Sequence, residues 1–420
     1  MTIKRRLTQQ LTAALVDFPC VYVNGPRQAG KTTLAQMVWG EAPYVNFDDP
    51  VMITAAKQAP DSFLETYPGK LILDEIQLVP ELYRSLKASI DRQRKSHQGR
   101  LTEKYLLTGS TNILALPRLS DALVGRMVVK TLYPFSALEV ARARDNSTAL
   151  SNTSFLERLR DGAIASAAID NTFSLVEMMQ DATFPEVRQL NENSRLLWFR
   201  SYVATLVSRD VRSIMDIEKA NLLPQLLNLL ASRVGGLLND VDLARSVQEN
   251  AVTVKRYRTL LDLLFLTVSV PPWFRNVGKR LVKAPKIYLI DTNLVTYLLG
   301  RSLQSIMASD LTLFGHLVEN FVATELLKQL SESASPAGLF HFRTGQGKEV
   351  DFVVEFADHT LLGIEVKTAD SVSLRDCAGL IELQALAGND FMRGCVLYRG
   401  RHVVKLADKI WAVPLAALWS

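Results

Sequence analysis

Residues 20–39, CVYVN-GPRQAGKT-TLAQMVW, decide the fold. An apolar run of five residues leads into Gly25-Pro26-Arg27-Gln28-Ala29-Gly30-Lys31-Thr32, and Thr33 then continues a stretch with helical spacing. The spacing G-x-x-x-x-G-K-S/T between a strand and a helix is that of a loop whose backbone N–H groups curl around phosphate oxygens. The helix N-terminus adds its positive dipole end. On this pattern Gly25, Pro26, Arg27, Gln28, Ala29, Gly30, Lys31, Thr32 and Thr33 form a candidate site for ATP. Lys31 is expected to reach the β and γ phosphates, and the Thr32 hydroxyl to complete a Mg²⁺ shell.

Downstream, residues 70–77 (KLILDEIQ) are an apolar run ending in two acids, as expected of a buried strand that presents carboxylates at its C-terminal edge. Asp74 is expected to hold Mg²⁺ directly or through water, and Glu75 to polarise the attacking water. The plainer alternative is that both acids begin a solvated helix. Residues 104–112 (KYLLTGSTN) form another apolar run ending in small polar residues, so Ser110 or Asn112 is placed to sense a γ-phosphate; a simple turn fits equally well. Arg126, in LVGRMVV, is expected to contact phosphate in its own subunit or a neighbour's, or else to sit on a solvated turn.

Four strand-like runs (CVYVNG, PYVNFDD, KLILDEI, KYLLTGS) alternate with helical stretches, which predicts a parallel sheet over residues 1–140. Residues 141–181 lose any firm period and are expected to form a linker or mobile insertion. Leu at helical spacing predicts helices over 194–240. DVDLARSVQENAVTVKRYRTLLDLL has a helix–turn–helix rhythm with its second helix starting near Thr253, and a strand-like pair follows it. A second α/β unit is expected from Phe314. The parts are therefore 1–140, 141–235, 236–296 and 297–420. Trp198, Phe199 and Tyr202 at helical spacing predict core packing.

Composition sets outer limits. In 420 residues, 48% hydrophobic and 22% charged content excludes a disordered, collagen-like or coiled-coil chain. No eighteen-residue apolar run predicts a spanning helix, and the N-terminal stretch lacks the pattern of a signal peptide. Three cysteines (Cys20, Cys377, Cys395) without a CxxC pair argue against a disulfide framework or zinc ribbon and point to a cytoplasmic setting. The five histidines show no metal-ligand spacing. Between residues 251 and 290 lie eight Lys/Arg (Lys255, Arg256, Arg258, Arg275, Lys279, Arg280, Lys283, Lys286) against one acid, Asp262, which exceeds the whole chain's net +5. Lys255, Arg256 and Arg258 are candidates for phosphate or groove contacts with DNA; a purely packing role is the alternative.

Residues 349–354 (EVDFVV) and 361–367 (LLGIEVK) look like two strands joined at FADHT. Residues i and i+2 share a strand face, so Glu365 and Lys367 point the same way. With Asp351 alongside, two carboxylates and an ammonium would converge, suited to Mg²⁺ and a scissile phosphate. A salt-bridged strand face is the alternative. Arg343 and Lys348 lie just upstream, in reach of phosphate.

GPRQAGKTTL, LILDEIQLVPEL, LLTGSTN and GRMVVKTLYPFSALE, in that order, resemble the AAA-type ATPases of a widespread bacterial and archaeal family whose C-terminal half is of uncertain function. The resemblance continues through FPEV, SRDV, TVKRYRTLLDLLF, APKIYLIDTNL and the region of Glu319. It departs at Ala182-Thr183 and at Asn293, where that family carries glycines. It implies a winged helix in the basic middle. The Asp351, Glu365 and Lys367 arrangement resembles the PD-(D/E)XK nuclease core, with Glu319 matching its supporting helical acid and joining Asp351 and Glu365 as metal ligands. The fold expected is therefore α/β: an AAA-type P-loop domain, a helical and winged-helix middle, and a restriction-endonuclease-like end. The function expected is ATP binding and hydrolysis by a protein acting on, or regulated by, DNA. The alternative is a nucleotide-dependent switch or a toxin or stress-response component that binds protein or DNA without cutting. A homo-oligomer is open, and no membrane partner is expected.

Overall fold

A computed structural model describes residues 3–96, 103–112, 117–145, 153–165, 169, 173–207, 221–280 and 283–420. The chain divides into two compact units, residues 4–134 with 263–265, and residues 1–3 with 135–262 and 266–420.

In the first unit β1 (Cys20–Asn24), β2 (Tyr44–Asn46), β3 (Lys70–Asp74), β4 (Lys104–Gly109) and β5 (Met127–Thr131) form one sheet in the order β2-β3-β4-β1-β5. Every pairing is parallel. Side chains of successive residues alternate across a strand, so β1 feeds two cores. Cys20 and Tyr22 pack with Leu71, Leu73, Tyr105 and Leu107 on one face. Val21 and Val23 pack with Leu34, Trp39, Ile72 and Leu106 on the other. Burial on both faces explains why these strands are continuous apolar runs. The strand β5 lies at the sheet edge with only partly buried residues; its weak apolar signal hid it from the sequence reading. Since all strands run the same way, Asn24, Asp74 and Gly109 end at a common edge, where α/β sheets of this kind receive ligands.

In the second unit the span expected to be a linker instead carries helices Phe155–Asp161 and Leu175–Asp181. Each opens with a reciprocal capping box, Ser154 with Glu157 and Ser174 with Glu177. This S-x-x-E spacing was the legible signal amid polar composition. Residues 146–152, 166–168 and 170–172 of that span, and all of SRDV, lie outside the described residues. Helices Glu192–Thr205 and Leu222–Ala231 occupy the Leu-rich stretch. Trp198 stacks on Tyr202 with ring centroids 4.8 Å apart, and both meet Phe184 in a packed aromatic cluster.

Helices Asp240–Ser246 and Ala251–Leu263 precede an antiparallel ribbon of β6 (Thr267–Val270) and β7 (Lys286–Leu289). After helix Leu311–Glu332 comes a six-stranded mixed sheet. Its strands are β8 (Ala337–Arg343), β9 (Glu349–Phe356), β10 (Leu361–Val366), β11 (Phe391–Tyr398), β12 (Val404–Ala407) and β13 (Ile410–Pro414), ordered β12-β13-β11-β10-β9-β8. Helix Ala378–Ala387 packs Leu380 and Leu383 against Val350, Val353 and Phe391. None of the described helices is long and apolar enough to cross a membrane. Cys20, Cys377 and Cys395 are buried and unpaired with one another.

Candidate nucleotide site and carboxylate cluster

The loop after β1 has the backbone that its glycines permit. Gly25 adopts φ +146°, and a Cβ there would collide with the Leu132 carbonyl oxygen; Gly30 adopts φ +93° as the cap of helix Lys31–Val38. Lys31 is buried, and its Nζ donates to the carbonyls of Gly25 (3.0 Å) and Pro26 (2.9 Å), which lays the ammonium along the loop. Thr32 Oγ1 donates to Asp74 Oδ2 at 2.7 Å. Loop and acid, 42 residues apart in sequence, thus meet at the common strand edge.

Three further groups hold Asp74: the Tyr44 hydroxyl donates to Oδ2 at 2.7 Å, the Thr108 hydroxyl donates to Oδ1, and the Glu75 N–H donates to Oδ1 at 3.1 Å. Burial, then the bond to Asp74, pushes the Tyr44 phenol up, which keeps it a donor. Glu75 sits in the left-handed region at φ 56°, and its carboxylate accepts from Gln77 Nε2 and from Ser110 Oγ (3.3 Å). Gln77 Oε1 beside them is buried and has no protein partner, an acceptor suited to a water proton. Hard oxygen donors from Thr32 and Asp74 next to a positive-φ loop fit Mg²⁺ and a polyphosphate.

Sequence reasoning missed Tyr44 and Thr108, and also Arg5. The buried Arg5 guanidinium donates to the Ala29 carbonyl at 2.7 Å and to the Tyr133 carbonyl at 2.5 Å, bracing the loop. Of the two γ-phosphate candidates, Ser110 bonds Glu75. Arg126 stands away from its own phosphate loop. It immediately precedes β5, whose Met127 pairs with Cys20, whereas the phosphate loop follows Asn24, opposite Thr131. A strand advances about 3.3 Å per residue, so Arg126 stands at the far edge of the sheet from its own loop. There it forms a bidentate pair with Asp91 at 2.7 and 2.9 Å.

In the second unit the structure does bring Glu319, Asp351, Glu365 and Lys367 together, with a fifth member. Lys286 Nζ donates to Glu319 Oε1 (2.8 Å) and Asp351 Oδ1 (2.9 Å), and Tyr288 donates to Glu319 Oε1 at 2.6 Å. Lys367 Nζ donates to Glu365 Oε1 at 2.7 Å, while Asp351 Oδ2 accepts from the Val366 N–H at 3.0 Å. Burial, then the Asp351 carboxylate, raises Glu319 to about 7 and Glu365 to about 8. Burial pulls Lys286 down, but Asp351 and Glu319 outweigh it and hold the ammonium above its ordinary value.

The expected metal set of Glu319, Asp351 and Glu365 therefore does not fit an ion as it stands, because each carboxylate already faces an ammonium. Among the described residues no group of three His, Cys, Asp or Glu side chains is arranged to hold a metal ion. Arg343 and Lys348 lie nearby in surface pairs with Glu349 (3.8 Å) and Glu382 (2.7 Å).

The basic middle is also less available than its charge count implies. Arg258 is buried between Asp240 (3.1 Å) and Asp262 (3.7 Å), and Arg280 is paired with Glu355. Lys255, Arg256 and Lys283 are exposed. The side chain of Lys279 lies outside the described residues.

Residues 17–141 match the family model of an AAA domain. Residues 173–305 match a domain of unknown function (DUF8612), and residues 314–418 match another (DUF4143). Uncharacterized proteins of Mycobacterium tuberculosis and Mycobacterium bovis are each 29% identical over 418 residues, covering 99% of this chain and 84% of theirs. A Walker-type ATPase of Pyrococcus abyssi aligns at 13% identity and TM-score 0.39, over 71% of this chain and 96% of its own. The family match, the parallel sheet and the glycine loop facing Asp74 agree that the first unit is built as an AAA-type P-loop ATPase domain.

Proposed function

We propose that the chain binds ATP with Mg²⁺ and hydrolyses it. The observation that carries this reading is the 2.7 Å bond from Thr32 to Asp74, which supports a Mg²⁺ shell built from that hydroxyl and that carboxylate beside the phosphate loop. Thr32 and Asp74 would hold Mg²⁺, which would neutralise charge that develops during phosphoryl transfer. The loop N–H groups of residues 25–32 position the phosphates, and Lys31 exchanges its loop carbonyls for phosphate oxygens. Tyr44 and Thr108 keep Asp74 aimed. Glu75 accepts a water proton, oriented by Gln77 and Ser110, and Ser110 links that carboxylate to the end of β4.

Phosphate release from Mg-ATP tests the reading. Lys31→Ala is expected to abolish turnover with loss of binding. Glu75→Gln is expected to bind normally and turn over at least about 100-fold more slowly. Wild-type turnover left unchanged by either substitution would refute it.

The exposed Lys255, Arg256 and Lys283 favour a nucleic-acid partner on the helix-and-ribbon part of the second unit, which supports a winged-helix role there. Contacts of this kind grip phosphates irrespective of base sequence. Duplex DNA is then expected to bind with a steep salt dependence that Lys255→Glu weakens; binding that ignores both salt and Lys255→Glu would point to a protein partner. The carboxylate cluster, with its acids paired to lysines, favours a nucleotide-dependent binder over a nuclease.

A further inference from the structure

An ammonium taken out of water must recover its solvation from oxygen ligands, so a buried lysine is retained only where such ligands converge. Lys286 is 5% exposed and finds them in Glu319 and Asp351. Its backbone is held on both sides. On one edge β7 pairs with β6 from Thr267↔Leu289 to Val270↔Lys286. On the other, the Gly235 N–H donates to the Ile287 carbonyl (2.8 Å) and the Ile287 N–H to the Gly236 carbonyl (3.1 Å). Beyond it, the Leu289 N–H donates to Asn320 Oδ1 at 2.8 Å, next to Glu319 in the chain. The ammonium is thus placed by a fixed strand and not by a swinging surface side chain.

We propose that Lys286 is the built-in counter-cation of the Glu319–Asp351–Glu365 cluster and keeps a divalent ion out of it. Mg²⁺ needs oxygens at about 2.0–2.1 Å in near-octahedral array. The two oxygens best placed to supply them already flank Nζ. An ion on the same oxygens would stand within about 5 Å of a like charge in a place shielded from water. Lys367 in turn pairs with Glu365. The pairing also ties the β6–β7 ribbon to helix Leu311–Glu332 and to β9, so the acids open to solvent ions only when Lys286 is withdrawn.

Manganese is the probe, followed by the electron paramagnetic resonance signal of free Mn²⁺ in nucleotide-free, full-length protein. Wild type and Asp351→Asn are expected to take up Mn²⁺ indistinguishably. Lys286→Met is expected to gain one equivalent, at least about tenfold tighter than any wild-type uptake, and to lose it again in Lys286→Met/Asp351→Asn. A wild-type equivalent that Asp351→Asn removes would overturn the proposal, as would a folded Lys286→Met that gains none. Should Lys286→Met not fold, the comparison of wild type with Asp351→Asn decides in either direction.

Discussion

Tyr44 shows how much one hydroxyl can carry at the nucleotide site. It shares Asp74 Oδ2 with Thr32, so removing it frees the carboxylate to turn away from the loop. Tyr44→Phe is expected to raise the Mg²⁺ concentration for half-maximal turnover by about tenfold, the usual cost of losing a group that orients a metal ligand. A magnesium titration of turnover reads this. His341 supplies a prediction in pH. Its ring is buried, Nε2 sits 3.2 Å from the Ala284 carbonyl, and burial lowers its pKa from 6.5 to about 4. A depressed value means that the fold prefers the neutral ring. The resulting stability is present above pH 6.5 and is lost as pH falls through about 4, by on the order of 3 kcal/mol. Urea unfolding of wild type is expected to show that loss, and His341→Gln to lack it.

At the scale of elements, the parts that were legible in the sequence are those whose chemistry is contiguous. The loop of residues 25–32 and the strand ending in Asp74 each announce themselves locally, since burial on both faces makes an apolar run and phosphate wrapping needs its glycines in fixed spacing. Contacts between elements were not legible. Arg5 reaches Ala29 across 24 positions, and Lys286 reaches Glu319 and Asp351 across 33 and 65. Nothing in the local pattern of β7 marks Lys286 as internal, and a count of charges only adds it to the basic residues of 251–290. Arg258 is neutralised by Asp240 from the preceding helix, a contact composition does not connect, and by Asp262 one turn along its own helix. Helix Ala378–Ala387 gives a test of close packing. A Cβ on Gly379 would collide with the Glu349 carbonyl oxygen at the start of β9. Gly379→Ala is expected to destabilise the second unit by about 1–3 kcal/mol, the range for overpacked contacts, read as a lower midpoint in thermal or urea unfolding.

For the whole molecule, the two units carry different chemistry. The first presents a phosphate loop and a Mg²⁺-suited acid at one edge of a parallel sheet; the second holds buried carboxylates answered by lysines. An energy-using role follows only if the first pocket takes a nucleoside triphosphate. Calorimetric titration of the purified chain with a slowly hydrolysed ATP analogue tests this most directly, with and without Mg²⁺. The account predicts one site per chain, tighter with Mg²⁺ and lost in Lys31→Ala. Equal heats from wild type and Lys31→Ala, or no binding at any Mg²⁺ concentration, would contradict it.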